Sequence, residues 1–226
     1  MYTEVENFLP HDDCDGLIKF INHDNDYDAA DRRAYMRSPG EYMTYWHLLE
    51  DGEICNDGTY QDGKLCNHGT YDEKVLKSEF FDLHLDHPLQ EVMWDVVKEF
   101  ADQNNIPLSH TPGLSISKYS KDGHMAWHTD GFNKADKISI GVQLSDESDY
   151  DGGEFQFGRD TQGDLRTISD DIYHDWELTQ KSISPIHTVS KTKGSLSMYD
   201  SFLYHRVTPI TRGERYVLLG WYRYIT

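Results

Sequence analysis

Cysteine is scarce, with three in 226 residues. So small and odd a number does not build the disulfide framework of a secreted scaffold. No apolar run approaches the roughly 20 residues that a membrane-spanning helix needs. The opening stretch, MYTEVENFLPHDD, lacks the basic and apolar regions of a secretory signal. Positive charge is also short: 21 Lys and Arg stand against 40 Asp and Glu, a net charge of -19. Such a surface repels a phosphate backbone, and no local Lys/Arg cluster offsets it. The expectation is a cytoplasmic protein with neither nucleic acid nor membrane as partner. The same charge would attract a basic peptide or protein, or simply keep the chain soluble.

What remains is a globular composition, 37% hydrophobic and 13% aromatic, with 15 tyrosines and 5 tryptophans spread along the chain. The length suits one domain over residues 1–226 with a full-sized core. Two segments carry helical periodicity. Cys14, Leu17, Ile18 and Ile21 recur as one helix face, with Pro10 near the start and Asp12 and Asp13 at the positive end. Leu89, Val92, Met93, Val96, Val97 and Phe100 do the same behind Pro88. Between them, residues 38–72 lose periodicity and read as loops and short hairpins. This region contains the echo CNDGTY (55–60) and CNHGTY (66–71). Its Cys55, Cys66 and His68 lack the close Cys-x-x-Cys pair and the fourth ligand of a structural zinc site, so two similar turns are the simpler reading.

After Pro112 the pattern changes to short alternating strands at 113–119, 137–145, 153–158, 182–189, 194–200 and 214–224. Helices lead and strands follow, which predicts an α+β fold. The N-terminal helices pack outside a double-stranded β-helix core, a jelly-roll of cupin-like form. Residues 1–112 are expected to form helical and loop-rich support for a β core over 113–226. Residues 159–180 interrupt two core strands and read either as a lid over the site or as a solvated excursion.

His128-Thr129-Asp130, in MAWHTDGF, lies on the connection between the strands at 113–119 and 137–145. His-x-Asp also occurs at His11 and at His84, and both fall in the run-in to a helix. A histidine and a carboxylate aimed at one point from a barrel mouth need one more histidine for a 2-His-1-carboxylate facial triad. That triad holds one face of Fe(II) and leaves three positions open. His205, between two late strands, is the best candidate. Ten residues on, Arg215 opens a strand in phase with Val217, Leu219 and Trp221. A buried guanidinium needs an anion, and Glu214 points to the opposite face. A dicarboxylate such as 2-oxoglutarate would supply it. Tyr216, Leu218 and Tyr222 make the other face apolar as well, so phase alone does not say which face is interior.

Together these residues resemble the Fe(II)/2-oxoglutarate-dependent oxygenases of the prolyl 4-hydroxylase type, over roughly residues 113–224. YSKDGHMAWHTD is similar to that family's Tyr…Gly…His-x-Asp segment, YDGGEFQF to its Gly-Gly turn, and HRVTPITRGERYVLLGW to its distal-histidine segment. VENFLPHDDCDGLI adds an N-terminal echo. The resemblance implies His128, Asp130 and His205 as iron ligands and Arg215 as the residue binding the far carboxylate of 2-oxoglutarate. It implies Tyr119 as a cosubstrate contact and Trp221 as a lining residue. Where some relatives carry a tyrosine that touches that carboxylate, Gln143 or a neighbour stands here.

Fe(II), 2-oxoglutarate and O2 are the implied cofactor and cosubstrates, and the resemblance allows ascorbate as an auxiliary reductant. The implied reaction is hydroxylation of an unactivated C–H bond, foremost in a prolyl residue of a peptide or protein. A free amino acid or small molecule as substrate, and a non-oxygenase metal-binding cupin-like protein, stay open.

Overall fold

The computed structural model describes residues 1–22, 46–48, 54–56, 76–83, 87–108, 113–130, 136–160 and 180–223. The CNDGTY and CNHGTY turns lie outside the described residues, apart from 55 and 56 in a short strand. So does the 159–180 insertion, apart from its ends. In chain order the elements are β1 (Tyr2–Val5), α1 (His11–Asn22), β2 (Trp46–Leu48), β3 (Ile54–Asn56), β4 (Leu76–Lys77), β5 (Glu79–Asp82) and α2 (Leu89–Gln103). Then come β6 (Leu114–Tyr119), β7 (His124–His128), β8 (Asp136–Gln143), β9 (Tyr150–Gly152), β10 (Phe155–Asp160), β11 (Ile183–Thr188), β12 (Leu196–Asp200), β13 (Tyr204–Val207), β14 (Ile210–Gly213) and β15 (Arg215–Arg223).

Two antiparallel sheets form the core. The major sheet runs β1-β12-β8-β15-β6-β5 and the minor sheet β11-β10-β13-β7-β4, while β9 with β14 and β2 with β3 make separate ribbons. This is the jelly-roll expected from the strand pattern. One expectation changes: residues 1–112 contribute strands as well as helices, since β1 and β5 edge the major sheet and β4 edges the minor one.

β15 explains how the two faces divide. Tyr216, Leu218 and Tyr222 are buried in one cluster with Leu114, Ile116, Ile138 and Ile140 of the same sheet and with both helices. α1 contributes Cys14, Leu17 and Ile21, and α2 contributes Met93, Val97 and Phe100. Each such fully buried apolar side chain stabilises the fold by about 1.5–3 kcal/mol. Val92, counted in the periodic face of α2, is exposed, because the stripe that meets the sheet is centred on Met93 and Val97. α1 starts on the Pro10 carbonyl, which accepts from Asp13 and Cys14, and α2 ends where Asn105 adopts φ 55°.

The opposite face of β15 looks between the sheets. Val217 packs there with Tyr119, Met125, Tyr150, Val207 and Ile210. Both faces of the strand are therefore buried, and the one carrying Arg215 is the barrel interior. At one open side the barrel is fastened by Glu4 of β1, whose carboxylate pairs with His187 of β11 and accepts from the Ser190 amide. Tyr2 stacks on the His187 ring beside it.

Candidate active site

His128 and His205 stand on strands, not on the connections where the sequence pattern put them. β7 and β13 run antiparallel, and the two histidines are direct cross-strand partners. Alternation sends both rings inward. Their centroids lie 4.0 Å apart. Each Nδ1 sits against the carbonyl two residues earlier, 2.9 Å from Ala126 O and 2.8 Å from Leu203 O. A carbonyl only accepts, so Nδ1 carries the proton and each Nε2 keeps a lone pair. Asp130 follows β7, its amide donating to Ser201 O at 2.8 Å. Its Oδ1 lies 3.5 Å from His128 Nε2 and its Oδ2 3.4 Å from His205 Nε2. The three ligand atoms fall within 4.8 Å of one another, the one such grouping among the described residues.

The electrostatics suit a cation. Burial pulls the His128 pKa below its ordinary value, and nearby His205 adds to the effect, while Asp130 opposes it. Burial would raise the Asp130 carboxyl, but the two imidazoles outweigh it and hold the group well below the usual carboxylate range. Tyr199 reaches Asp130 Oδ2 at 3.5 Å and packs edge-on against the His205 ring.

Across the interior, Arg215 is 5% exposed. Its register partner on β6 is Tyr119, whose ring lies 5.6 Å from the guanidinium carbon. Its Nε donates to Gln143 Oε1 at 3.1 Å, whereas Nη1 is buried with no hydrogen-bond partner among the described residues. Glu214 lies elsewhere, bound to Lys118 and the Tyr216 hydroxyl. Trp221 shares the Arg215 face, half-buried and opposite Ser139. Gly152 and Gly153 turn with φ of 82° and 63°, and a Cβ on Gly153 would stand 3.2 Å from Arg215 Cδ. That close approach explains the glycine pair in YDGGEFQF.

Sequence reasoning missed Tyr150. It is 1% exposed, and its hydroxyl lies 3.0 Å from Gln143 Nε2. Its place two residues before Gly152 of the Gly-Gly turn was the available signal. Nothing local says that this tyrosine meets Arg215.

A jelly-roll that brings two histidines of one sheet together with the aspartate just beyond it, and a buried arginine on the facing sheet, has the design of a non-haem iron oxygenase. Residues 114–223 match the 2OG-Fe(II) oxygenase superfamily. Fe(II), 2-oxoglutarate and O2 are the cofactor and cosubstrates the family implies.

Among curated relatives, a PKHD-type hydroxylase of Hyphomonas neptunium is 41% identical over 49 residues, 22% of either chain. One of Idiomarina loihiensis is 28% identical over 48% of this chain and 40% of its own length. One of Aliarcobacter butzleri is 26% identical over 62% of this chain and 58% of its own. The matches thus span less than two thirds of these relatives' own length.

Solved structures share the fold. A Pseudomonas putida prolyl-4-hydroxylase superposes with TM-score 0.60 at 14% identity, covering 99% of this chain and 92% of its own. A Trichoplax adhaerens prolyl hydroxylase in complex with a hypoxia inducible factor peptide fragment gives 0.56 at 11%, covering 98% and 83%. No helix among the described residues is long and apolar enough to cross a membrane.

Proposed function

We propose that the protein is an Fe(II)- and 2-oxoglutarate-dependent dioxygenase that hydroxylates an unactivated C–H bond, with a prolyl residue of a peptide or protein as substrate. The observation that carries this is Arg215, a buried guanidinium with an unpartnered Nη1, inside a barrel that also holds two histidines and an aspartate. A metal-binding barrel without 2-oxoglutarate has no need of such a cation.

The donor set fits Fe(II). The Nε2 atoms of His128 and His205 and the Asp130 carboxylate would hold it, and three coordination positions would stay open. Asp130 offsets part of the metal's charge, and the two neutral imidazoles keep the site net cationic. The backbone carbonyls on Nδ1 fix both rings, so the lone pairs converge without reorganisation. Arg215 would take the far carboxylate of 2-oxoglutarate through a charge-assisted pair in a buried pocket, with Tyr119 beside it and Trp221 lining the same face. When bound, iron, 2-oxoglutarate and O2 together supply the oxidising power that breaks the C–H bond.

The prolyl assignment is supported by the prolyl hydroxylases that share this fold. The net charge of -19 favours a basic peptide over an acidic one. A reducing cytoplasm suits a ferrous centre and a chain with three cysteines.

The test is anaerobic titration with Fe(II) and 2-oxoglutarate, watching for the weak visible charge-transfer band of a chelated keto acid. The band should appear in the wild type and vanish in Asp130→Ala. Metal uptake without a band would move the protein to the cupin-like class. With the band in hand, ascorbate-supplemented turnover of basic proline-containing peptides should add one oxygen atom. Turnover of a free amino acid alone would redirect the substrate assignment.

A further inference from the structure

We infer that Tyr150 is a second hydrogen-bond donor to the distal carboxylate of the cosubstrate, and that Gln143 is the positioning residue that aims both it and Arg215. The inference rests on the reading that Arg215 receives 2-oxoglutarate.

Gln143 ends β8 and is 5% exposed. Its amide nitrogen donates to the Ser145 carbonyl at 3.2 Å and to the Tyr150 hydroxyl at 3.0 Å. A backbone carbonyl is only an acceptor, so this bond orients the amide without reference to Arg215. Oε1 must then face the other way, where it accepts from Arg215 Nε, a group that only donates. With Nε engaged, the guanidinium presents its outer edge, and there Nη1 is buried and unpartnered. The Tyr150 oxygen accepts from Gln143 Nε2, and the Arg215 guanidinium is near enough to act on the hydroxyl electrostatically. Its own proton therefore points away from Gln143, and it has no acceptor among the described residues.

Two buried donors held by the same Gln143 amide, neither with an acceptor, are costly unless a ligand supplies one. The complement is an anion with two oxygens. Tyr150 has little freedom to turn its hydroxyl elsewhere. Lys191 Nζ lies 5.0 Å from its ring on one side, and the Gly153 backbone closes another, where a Cβ would come within 3.3 Å of Tyr150 Cε2.

The test uses Mn(II)-loaded protein under anaerobic calorimetry, titrated with 2-oxoglutarate and separately with 2-oxobutyrate. The second ligand has the same keto-acid end and no distal carboxylate. Tyr150→Phe keeps the ring and should weaken 2-oxoglutarate roughly 10-fold or more, as expected for a hydrogen bond to a charged group, while 2-oxobutyrate binds as to wild type. Gln143→Leu should show the same selective loss and gives a second reading should Tyr150→Phe not fold. Gln143→Glu should lose more than either, because its carboxylate would occupy Arg215 from within.

Wild-type affinity of Tyr150→Phe for 2-oxoglutarate, or equal weakening of both ligands, would overturn the inference. Failure of the underlying reading looks different: the wild type would bind neither ligand, or Arg215→Ala would leave 2-oxoglutarate affinity untouched.

Discussion

Gly153→Ala should be among the most damaging single-atom additions in this protein, and Gly16→Ala should have the opposite effect. At Gly153 the backbone stands at φ 63°, where an L-residue other than glycine loses about 1–2 kcal/mol. The new methyl would also fall on the Ile210 Cδ1 methyl, well inside contact distance. Ile210 is fully buried, so it cannot swing aside without disturbing Tyr150 and Val217, which pack in the same cluster. Overpacking of this kind costs about 1–3 kcal/mol. Together the two effects destabilise the fold by about 2–5 kcal/mol, which for a chain of this size lowers Tm by roughly 5–15 °C. Gly16 lies exposed within α1, and a Cβ added there would meet nothing within 4 Å. At that position alanine should stabilise by about 0.5–1 kcal/mol through helix propensity. Urea and thermal denaturation of both variants give the answer. A Gly153→Ala protein within about 0.5 kcal/mol of wild type would refute the close packing claimed around Arg215.

Arg215→Lys should raise the 2-oxoglutarate dissociation constant by about 10-fold, because a point charge replaces a planar fork, measured by the same anaerobic calorimetry. Tyr222→Phe should raise Tm by roughly 2–4 °C, since it removes a buried hydroxyl with no partner among the described residues and keeps the ring on Trp94. For Glu214, burial pushes the carboxyl up, but Lys118 and the Tyr216 hydroxyl outweigh it and hold its pKa below the ordinary 4.5. Its stabilisation is thus present above pH 4.5 and lost as pH falls through the folded value, so Glu214→Gln should flatten the acid limb of the stability profile. Asp130→Ala should abolish Mn(II) binding while leaving far-ultraviolet dichroism unchanged, read by calorimetry and spectroscopy on one preparation.

The parts of this protein legible in its sequence are those with local periodicity. Met93 and Val97 sit where the helical spacing put them, and the six strands after Pro112 follow their alternating runs. β7 and β13 are hard to read as strands because HMAWH and YHRV each place a histidine at an inward position, beside inward Met125 and Val207, where a core strand would carry valine or isoleucine. These are the histidines of the site. The chemistry that makes the segments useful is what hid their structure. The pairing of His128 with His205 and the meeting of Gln143, Tyr150 and Arg215 join distant parts of the chain. Spacing along the sequence suggested partners for the first; for the second, only the family resemblance put Gln143 near the carboxylate that Arg215 would bind, and Tyr150 had no signal of that kind. The two apolar faces of β15 were visible, but which one looks into the barrel depended on where α1 and α2 settle.

β1 carries a kinetic consequence. Tyr2 pairs with Tyr199 and Val5 with Leu196, so β1 finds its neighbour only after residues 196–199 have been made. At ribosomal speeds of about 5–20 residues per second, it waits on the order of 10–40 s with an edge unpaired. Closure of the barrel is thus a late, non-local event, dominated by loop-closure entropy. A permuted chain that joins β1 directly to β12 through a short linker should fold faster at nearly unchanged stability.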